Sequence, residues 1–336
     1  MDKVVLGLSG GVDSAVSATL LKKAGYEVYG LYMDITGDKA RQDAVDTAAF
    51  LGIPLRVLDI SEALEANVKS PFAASYLRGE TPNPCILCNP AVKFPSLLRY
   101  ADELGAAYAA TGHYARSENG RLYKGMPSND QSYMLCRLTE AVLRRVIFPL
   151  GGFEKTHTRA LASELGLPVA SKPDSMEICF IPGGDYAAFL SGRGVCPPEG
   201  ELIYNGAVVG KHGGIHRCTV GQRWPGLFDG KKLYIARIDA EKNQVVLDTD
   251  EALYKSVVTA RDFNWINGVR GRNRSHRPGA AHKAQRPLHR PRGRRRRGDK
   301  LHRPGTRPGS GPVRRVISGR HGPWRRIYNI AKLPPA

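Results

Sequence analysis

The sequence lacks any apolar run that approaches the roughly 20 residues of a membrane-spanning helix. It is also poor in cysteine, with 6 cysteines in 336 residues, and these lie at uneven intervals. A small secreted domain held by disulfides would carry a denser set, so reactive or metal-binding thiols are favoured. Met1 and Asp2 lead directly into an apolar segment, without the basic and apolar regions of a signal peptide. We therefore expect a cytoplasmic protein that has no membrane partner.

Acidic residues are nearly absent from the last fifth of the chain. Residues 269–336 hold 21 of the 50 Lys and Arg residues, but Asp299 is their single acidic residue out of 31. The formal net charge of +19 is therefore a property of this tail, and the preceding 268 residues are close to neutral. Basic tails of this kind are typical of arms that bind nucleic acid.

A glycine turn lies between a predicted strand and a predicted helix at the start of the chain. The apolar run Val4–Leu8 precedes the string SGGVDS at residues 9–14, and an amphipathic stretch begins at Ser14. The glycines let the backbone approach an anion, and the N–H groups at a helix start favour negative charge. Asp13 would repel a phosphate unless a divalent cation lay between them, so the string predicts ATP bound with Mg2+. The GK[ST] ending of a Walker A loop is missing.

Strands and helices alternate through the first half of the sequence. This alternation predicts an α/β fold, in which a parallel sheet is covered on both faces by helices. The predicted strands are 4–8, 27–33, 55–60 and 108–114, and the predicted helices are 38–51 and 156–165. Ligands of such sheets bind at the carboxyl ends of the strands, where SGGVDS lies. His113 follows a strand and either faces the same cleft or has a structural role.

From about Cys196 the pattern changes to short strands separated by glycine-rich turns. The predicted strands are 201–204, 207–210, 233–238 and 244–247. Short strands at this spacing indicate a small β domain. The sequence therefore predicts an α/β domain followed by a β domain.

Cys85 and Cys88 lie three positions apart in a predicted proline-rich turn, so both sulfurs can reach one centre. Such a pair can be a redox dithiol, half of a zinc site or part of an iron–sulfur site. A second C-x-x-C or H-x-x-x-H unit is missing, which argues against a zinc knuckle. Cys179 is the natural third thiol. Cys136, Cys196 and Cys218 lack such surroundings.

Six motifs resemble, in their order along the chain, those of bacterial tRNA-specific 2-thiouridylases. This family belongs to the ATP pyrophosphatases with a PP-loop, which cleave ATP to AMP and pyrophosphate. The motifs are SGGVDS (9–14), TPNPCILCN (81–89), ATGHYAR (110–116), SNDQSY (128–133), KPDSMEICFI (172–181) and HRCTVGQR (216–223). The resemblance covers about residues 1–268.

The resemblance implies sulfuration of wobble uridine 34 in the tRNAs for Lys, Glu and Gln. ATP would adenylate the C2 oxygen of the base, and a sulfur carried by the protein would displace AMP. The implied ATP-binding residues are Gly7, Leu8, Ser9, Gly10, Gly11, Val12, Asp13, Ser14, Met33 and Gly112. The implied tRNA-binding residues are Asn83, Pro84, Cys85, His113, Asn129, Asp130 and Gln131, the first three beside a base flipped out of its stack.

The resemblance also implies the catalytic thiols. Cys88 would be the nucleophile and Cys179 the carrier of a persulfide, and the two would form a disulfide when sulfur is released. A cysteine desulfurase or a relay protein would supply the sulfur. Many family members have Asp where this chain has Cys85. With that change, Cys85, Cys88 and Cys179 could instead hold a [4Fe-4S] cluster that binds hydrosulfide, so a persulfide relay and a cluster mechanism both stay open.

The resemblance divides the chain into three parts. These are a PP-loop catalytic domain (1–195), a small central β domain (196–256) and the remnant of a C-terminal β-barrel (257–336). Residues 269–336 are either an RNA-binding arm or a segment translated out of frame. Degenerate codons for Ser310–Tyr328, read one base later, permit PGQSAVLYQGDTVLGGGYI, which resembles the closing strands of the family's barrel. We therefore favour the altered reading frame.

Two other functions are compatible with part of the sequence. Another PP-loop enzyme, such as an amide-forming synthetase or a different tRNA thiolase, would share SGGVDS, but a synthetase needs no thiol pair. A non-catalytic RNA-binding protein would depend on the basic tail alone. RNA binding by such a protein would survive substitution of Asp13 or Cys88 and would vanish on removal of residues 269–336.

Overall fold

A computed structural model describes residues 1–35, 39–174, 178–181, 183–255, 257, 260, 262–266 and 282–283. The strands are β1 (Lys3–Gly7), β2 (Glu27–Asp34), β3 (Leu55–Asp59), β4 (Tyr108–Ala110), β5 (Ala115–Glu118), β6 (Arg121–Lys124), β7 (Val146–Ile147), β8 (Gly200–Tyr204), β9 (Ala207–His212), β10 (Tyr234–Asp239), β11 (Gln244–Asp248), β12 (Tyr254–Lys255) and β13 (His282–Lys283). The α-helices are α1 (Val12–Lys23), α2 (Lys39–Leu51), α3 (Ser61–Leu64), α4 (Ser70–Leu77), α5 (Pro84–Cys88), α6 (Phe94–Glu103), α7 (Glu140–Arg144), α8 (Lys155–Glu164) and α9 (Tyr186–Ser191). The tail interpretations concern residues that lie, apart from 282–283, outside this description.

A parallel five-stranded sheet forms the core of the first part of the chain. Its strand order is β3-β2-β1-β4-β7, and each pair of neighbours runs parallel. The chain moves outward from β1 in one direction to β2 and β3, and then returns to the other side of β1 to form β4. Such a reversal opens a crevice at the carboxyl ends of the two strands on either side of it. SGGVDS follows β1 and TGHY follows β4, so both motifs begin at this crevice.

Alternate residues of the central strand pack on opposite faces of the sheet. Val4 and Leu6 are fully buried among side chains of α1 and α2, whereas Val5 is buried with Phe94 and Leu97 of α6. The predicted parallel sheet with helices on both faces is therefore confirmed. Burial on both faces explains why β1 is a continuous apolar run and does not alternate with polar residues.

Two long helical stretches lie between β3 and β4, and each contains one π-helical turn. In the second stretch α5, the π turn Asn89–Lys93 and α6 follow one another without a break in helical backbone conformation. Pro90 has no N–H to donate to the carbonyl one turn earlier, which accounts for the wider turn at this point. The prediction of a proline-rich turn at residues 81–89 was therefore wrong, because Pro84 is the first residue of a helix.

A second sheet forms the β domain, with strand order β10-β11-β8-β9. Strands β8 and β11 run parallel, and the other two pairs are antiparallel hairpins. It contacts the first part of the chain at Gly79, where an added Cβ would lie 2.8 Å from Ile238 of β10. The hydroxyl of Tyr186 also donates to the carbonyl of Arg217 across the same boundary at 3.1 Å.

The four strands that were predicted in the β domain are confirmed to within two residues at each end. The predicted helices 38–51 and 156–165 correspond to α2 and α8. The expected strand over 108–114 is shorter, because β4 ends at Ala110 and the chain turns before β5. Among the described residues no helix is both long enough and apolar enough to span a membrane.

Candidate nucleotide and thiol site

The SGGVDS loop has a backbone that requires glycine at its second position. Gly10 has φ of 67°, and a Cβ added there would lie 2.3 Å from the carbonyl oxygen of Ala40 in α2. Gly11 caps α1 without a side-chain hydrogen bond, which leaves the helix start open to an anion. The Ser14 hydroxyl donates to the Gly11 carbonyl at 2.9 Å and lies 3.2 Å from the Ser9 hydroxyl. Hydrogen bonds of Ser9 and Ser14 therefore stabilise the conformation of the loop.

The ends of β1, β2 and β4 meet around this loop. A Cβ on Gly112, which follows β4, would lie 3.0–3.1 Å from backbone and side-chain atoms of Asp13 and Ser14. A Cβ on Gly7 would lie 3.6 Å from the terminal methyl of Met33 in β2. The structure thus brings Gly7, Met33 and Gly112 to the same edge of the sheet as the glycine loop, as expected of one nucleotide pocket.

Asp13 is the centre of a network of charged and polar side chains. The ammonium group of Lys155 lies 2.7 Å from both carboxylate oxygens of Asp13 and 2.8 Å from Asp174. The Tyr114 hydroxyl donates to Asp13 at 2.7 Å. Burial, and then the negative charge of Asp13, raise the pKa of Tyr114, so its phenol stays protonated as a donor.

Asp174 belongs to the same network, five residues before Cys179. Arg159 binds it at 2.6 Å in addition to Lys155. Partial burial acts to raise the pKa of this carboxyl, but the two cations outweigh it, and the pKa lies below its usual value. The network therefore connects the nucleotide loop to the start of the segment that carries the third thiol.

Lys172 contacts the glycine loop at Gly10, on the side away from Asp13. Its ammonium group donates to the carbonyl of Gly10 at 2.8 Å and forms an ion pair with Asp43 of α2. Both side chains are less than one-third exposed. Two lysines therefore flank the glycine loop, one at Asp13 and one at Gly10.

The two neighbouring cysteines are presented by the start of α5. The side-chain oxygen of Asn83 accepts a hydrogen bond from the Cys85 N–H at 3.1 Å and caps the helix, and Pro84 occupies the first helical position. Asn89 is buried, and its amide donates to the Met134 carbonyl at 2.9 Å. This bond joins the TPNPCILCN segment to the end of the SNDQSY segment.

Apolar packing brings the segments of Cys88 and Cys179 together. Cys88 packs against a buried cluster that includes Phe72, Val92 and Phe180, and Ile178 packs against the same cluster. Cys179 lies between Ile178 and Phe180, and Met33 contacts this cluster as well. The two thiol-bearing segments therefore share a core that also touches the nucleotide pocket.

The surroundings of these thiols favour their protonated forms. Desolvation by the surrounding protein raises the pKa of Cys88, and it raises the pKa of Cys179 to about 11 although Cys179 is an exposed residue. Lys93 opposes both shifts through its positive charge, and its backbone N–H also lowers the pKa of Cys88.

The pKa of Cys179 leads to a measurable pH dependence. Only the thiolate reacts with iodoacetamide, and its fraction rises about tenfold per pH unit below the pKa. We expect the modification rate of Cys179 in the ligand-free protein to keep rising up to at least pH 10, as measured by peptide mass spectrometry. A rate that levels off below pH 8 would show a thiol of low pKa and contradict this expectation. The Cys88→Ser variant serves as the control, because a neighbouring thiolate would no longer contribute.

The residues of the SNDQSY segment use their side chains within the protein. Asp130 accepts hydrogen bonds from the N–H of Gly125 and of Ser132, and the Gln131 side chain accepts from the N–H of Tyr114 at 3.0 Å. The Asn129 amide donates to the Phe153 carbonyl at 3.3 Å. These contacts fix the loop beside the glycine-loop network and leave Tyr133 exposed.

His113 is half-buried beside Phe94 and Phe148, and its ring stacks on Phe94 with centroids 6.4 Å apart. Burial, and then the positive charge of Lys93, lower the pKa of His113 well below its usual value. Its Nδ1 lies 2.8 Å from the hydroxyl of Thr111. A neutral imidazole can act as a hydrogen-bond partner here but adds no positive charge for a phosphate.

The three thiols Cys85, Cys88 and Cys179 were considered above as ligands of an iron–sulfur cluster. Within the part of the chain that the structure describes, no group of three Cys, His, Asp or Glu side chains is arranged to hold a metal ion. The persulfide relay and the iron–sulfur cluster therefore both stay predictions.

Several residues of the site were missed by sequence reasoning. Lys93, Lys155 and Tyr114 carry no spacing signal of their own, and only the fold brings them to Cys88 and Asp13. Lys172 lies within the motif KPDSMEICFI, but its contact with the glycine loop spans 162 positions along the chain. Each of these residues contributes a charge or a hydrogen bond to a group that the motifs did identify.

Comparison with known proteins gives matches over both parts of the chain. Residues 2–183 match the model of the tRNA methyl transferase HUP domain, and residues 196–248 match the tRNA methyl transferase PRC-barrel domain. A tRNA-specific 2-thiouridylase MnmA 2 of Thermoanaerobacter sp. is 42% identical over 79% of this chain and 80% of its own length. A tRNA-specific 2-thiouridylase MnmA of Xanthobacter autotrophicus is 43% identical over 80% of this chain and 74% of its own.

Among solved structures, a 4-thiouridine synthetase in complex with RNA and ATP superposes with a TM-score of 0.36 at 22% identity. That superposition covers 57% of this chain and 50% of the synthetase.

Proposed function

The chain belongs to the tRNA-specific 2-thiouridylase family, and from this premise we propose that it forms 2-thiouridine at wobble uridine 34 of tRNA. The reaction is a sulfur transfer that consumes ATP and yields AMP and pyrophosphate. The substrates are the tRNAs for Lys, Glu and Gln. The observation that carries the proposal is the shared apolar cluster that places the Cys88 and Cys179 segments against Met33 of the nucleotide pocket.

Both halves of the site have a task in this reaction. The C2 carbonyl of uracil is a poor electrophile, and its oxygen leaves only after it has been joined to AMP. The glycine loop with Asp13, Ser9 and Ser14 binds the phosphates of ATP. Asp13 is a suitable carboxylate ligand for Mg2+, a cation that binds through one or two carboxylates together with substrate phosphates. The ion would neutralise phosphate charge at this loop.

The thiols deliver the sulfur. Cys179 carries a persulfide whose terminal sulfur comes from a cysteine desulfurase or a relay protein. The Cys88 thiolate attacks the inner sulfur of the persulfide, hydrosulfide leaves and attacks C2 of the adenylated base, and AMP departs with the C2 oxygen. A Cys88–Cys179 disulfide remains, and an external thiol reduces it for the next cycle. Lys93 is the cation beside both thiols that favours their ionised forms.

The tRNA-binding residues proposed above come from two segments joined by the Asn89 hydrogen bond. Asn83, Pro84 and Cys85 lie at the start of α5, and residues 129–131 precede the short 3-10 helix Ser132–Leu135, in which the Met134 carbonyl accepts the hydrogen bond of Asn89. His113 stacks on Phe94 of α6 and directly follows Gly112, which lies beside Asp13 and Ser14 of the nucleotide loop. We place the flipped base of the tRNA at the start of α5, within reach of both thiols.

Sulfuration accounts better for the residues of this site than methyl transfer, which the description of the matching domain models names. Methyl transfer requires neither a loop for ATP phosphates nor two thiols on a common core. An amide-forming PP-loop synthetase would use the loop but would leave Cys88 and Cys179 without a task. A cytoplasmic location follows from a tRNA substrate.

We further propose that residues 269–336 arise from an altered reading frame. The similarity to the two thiouridylases above covers 79–80% of this chain, which leaves about a fifth unmatched, the same share as the basic tail. Resequencing the gene tests this directly, because independent reads with an uninterrupted tail would contradict it.

The proposed function predicts 2-thiouridine in unmodified tRNA-Glu incubated with the protein, ATP, Mg2+, cysteine and a cysteine desulfurase. Retardation of the tRNA in a mercury gel measures the product. Product from the full chain supports the proposal. The absence of both 2-thiouridine and tRNA-dependent AMP would contradict the proposal. Formation of AMP without 2-thiouridine would instead show that sulfur delivery has failed. Absorbance near 400 nm after anaerobic purification tests the cluster alternative in the same sample.

A further inference from the structure

Two lysines lie at the glycine loop, and hydrogen bonds and ion pairs hold their ammonium groups in place. Lys155 contacts both oxygens of Asp13 and one of Asp174, and Lys172 contacts the Gly10 carbonyl and Asp43. Neither lysine was identified by the motifs as a ligand of ATP. Both lie within hydrogen-bond distance of residues that bind its phosphates in the proposed function.

Helix packing fixes the position of Lys155. It is the first residue of α8, and Ala162 of α8 is buried in the same cluster as Val12 and Val16 of α1. The contact between Lys155 and Asp13, the second residue of α1, places the starts of the two helices side by side. Both helix starts and the lysine therefore add positive potential at one point.

The pairing of Lys155 with Asp13 competes with Mg2+ for the same carboxylate when ATP and Mg2+ bind. Both oxygens of Asp13 are occupied by the ammonium group, whereas Asp13 is the carboxylate available for the metal ion. The arriving phosphates supply the negative charge that lets Lys155 leave Asp13. Asp174, on the other side of Lys155, keeps the ammonium group within the site.

We propose that Lys155 and Lys172 bind the β- and γ-phosphates of ATP and stabilise them as they leave as pyrophosphate. This inference rests on the proposed function. In the adenylation step the C2 oxygen of uridine attacks the α-phosphorus, and the bond from that phosphorus to the bridging oxygen breaks. The electron pair of this bond leaves with pyrophosphate, so negative charge grows where the two ammonium groups lie. The lysines would therefore contact the phosphates that leave as pyrophosphate but not the AMP moiety, which stays on the base.

The experiment compares three ligands on the full chain by isothermal titration calorimetry with Mg2+ and without tRNA or sulfur donor. The ligands are ATP, pyrophosphate and AMP, and the variants are Lys155→Gln and Lys172→Gln. A lost hydrogen bond between an ammonium group and a phosphate weakens binding by about 10- to 100-fold. We expect this loss for ATP and pyrophosphate and a change of less than about threefold for AMP.

The matched control is Lys22→Gln. Lys22 lies at the other end of α1 and contacts the carbonyl of Leu51, so it shares the helix but not the site. We expect its three affinities to equal those of the unchanged protein. Equal weakening for AMP and pyrophosphate in the Lys155 variant would overturn the inference, because it would show a general loss of the pocket. Unchanged pyrophosphate affinity in both site variants would overturn it as well.

A double variant tests whether the effect of Lys155→Gln comes from destabilisation of the fold. Loss of Lys155 alone leaves the carboxylates of Asp13 and Asp174 without their shared cation, so Lys155→Gln combined with Asp174→Asn removes this repulsion. We expect the double variant to show the same selective loss of pyrophosphate binding at an unchanged melting temperature. If the two lysine variants lose pyrophosphate binding but the unchanged protein forms neither 2-thiouridine nor tRNA-dependent AMP, the proposed function fails while this inference stands. If it makes 2-thiouridine but the variants bind pyrophosphate normally, only this inference fails.

Discussion

Replacement of either Cys88 or Cys179 by serine is expected to lower 2-thiouridine formation by at least about 1,000-fold. A serine hydroxyl neither carries a persulfide nor attacks one, so the loss is that of an essential nucleophile. The tRNA-dependent release of pyrophosphate should persist in both variants, because the glycine loop is unchanged. Mercury-gel retardation measures the first quantity, and an enzymatic pyrophosphate assay measures the second.

The two variants should differ in one respect. After incubation with cysteine and a cysteine desulfurase, Cys88→Ser should accumulate a persulfide on Cys179, and Cys179→Ser should carry none at that position. Cys196→Ser is the matched control, since Cys196 is exposed and lies outside the cluster that holds Cys88. Full loss of product in Cys196→Ser, or more than a tenth of the activity left in Cys88→Ser, would refute the assignment.

Replacement of Asp13 by asparagine is expected to slow AMP formation by about 100- to 1,000-fold, or roughly 3 to 4 kcal/mol in the barrier. An amide is a weaker ligand for Mg2+ than a carboxylate, and it loses the charge that holds Lys155 in the site. The protein should stay folded, because Asn keeps the shape of Asp and can still accept the hydrogen bond of Tyr114.

Initial rates of AMP formation at several Mg2+ concentrations measure this effect. We expect the variant to need more Mg2+ for half-maximal rate, which separates loss of a metal ligand from a general loss of structure. Asp46→Asn is the control, because Asp46 lies on the exposed face of α2 and contacts Gln42. An unchanged Mg2+ dependence in the Asp13 variant would exclude its role as a metal ligand.

The parallel sheet and the position of the nucleotide loop were predictable from the sequence. Both depend on local patterns, namely apolar runs bounded by glycine and a turn that needs positive φ. The contacts of Lys155 with Asp13 and of Lys172 with Gly10 were not predictable, because they join positions 142 and 162 residues apart. Contacts of this kind depend on how whole helices pack, which a local pattern does not encode.

The start of α5 shows a different limit. The prolines of residues 81–89 predict a turn, although Asn83 followed by Pro84 is a favoured start of a helix. The pKa of Cys88 was not predictable either, because only the fold places Phe72, Val92 and Phe180 around this thiol together with the charge of Lys93. Those side chains exclude water, and desolvation outweighs the lysine.

The raised pKa of the thiols affects how fast peroxide oxidises them. Peroxide oxidises thiolates to sulfenic and then sulfinic acid, and the second product is not restored by ordinary cellular thiols. Because desolvation by the surrounding protein raises the pKa of Cys88, this thiol is mostly protonated at neutral pH. The apolar cluster that packs against Cys88 therefore also slows oxidation of this thiol in the idle enzyme.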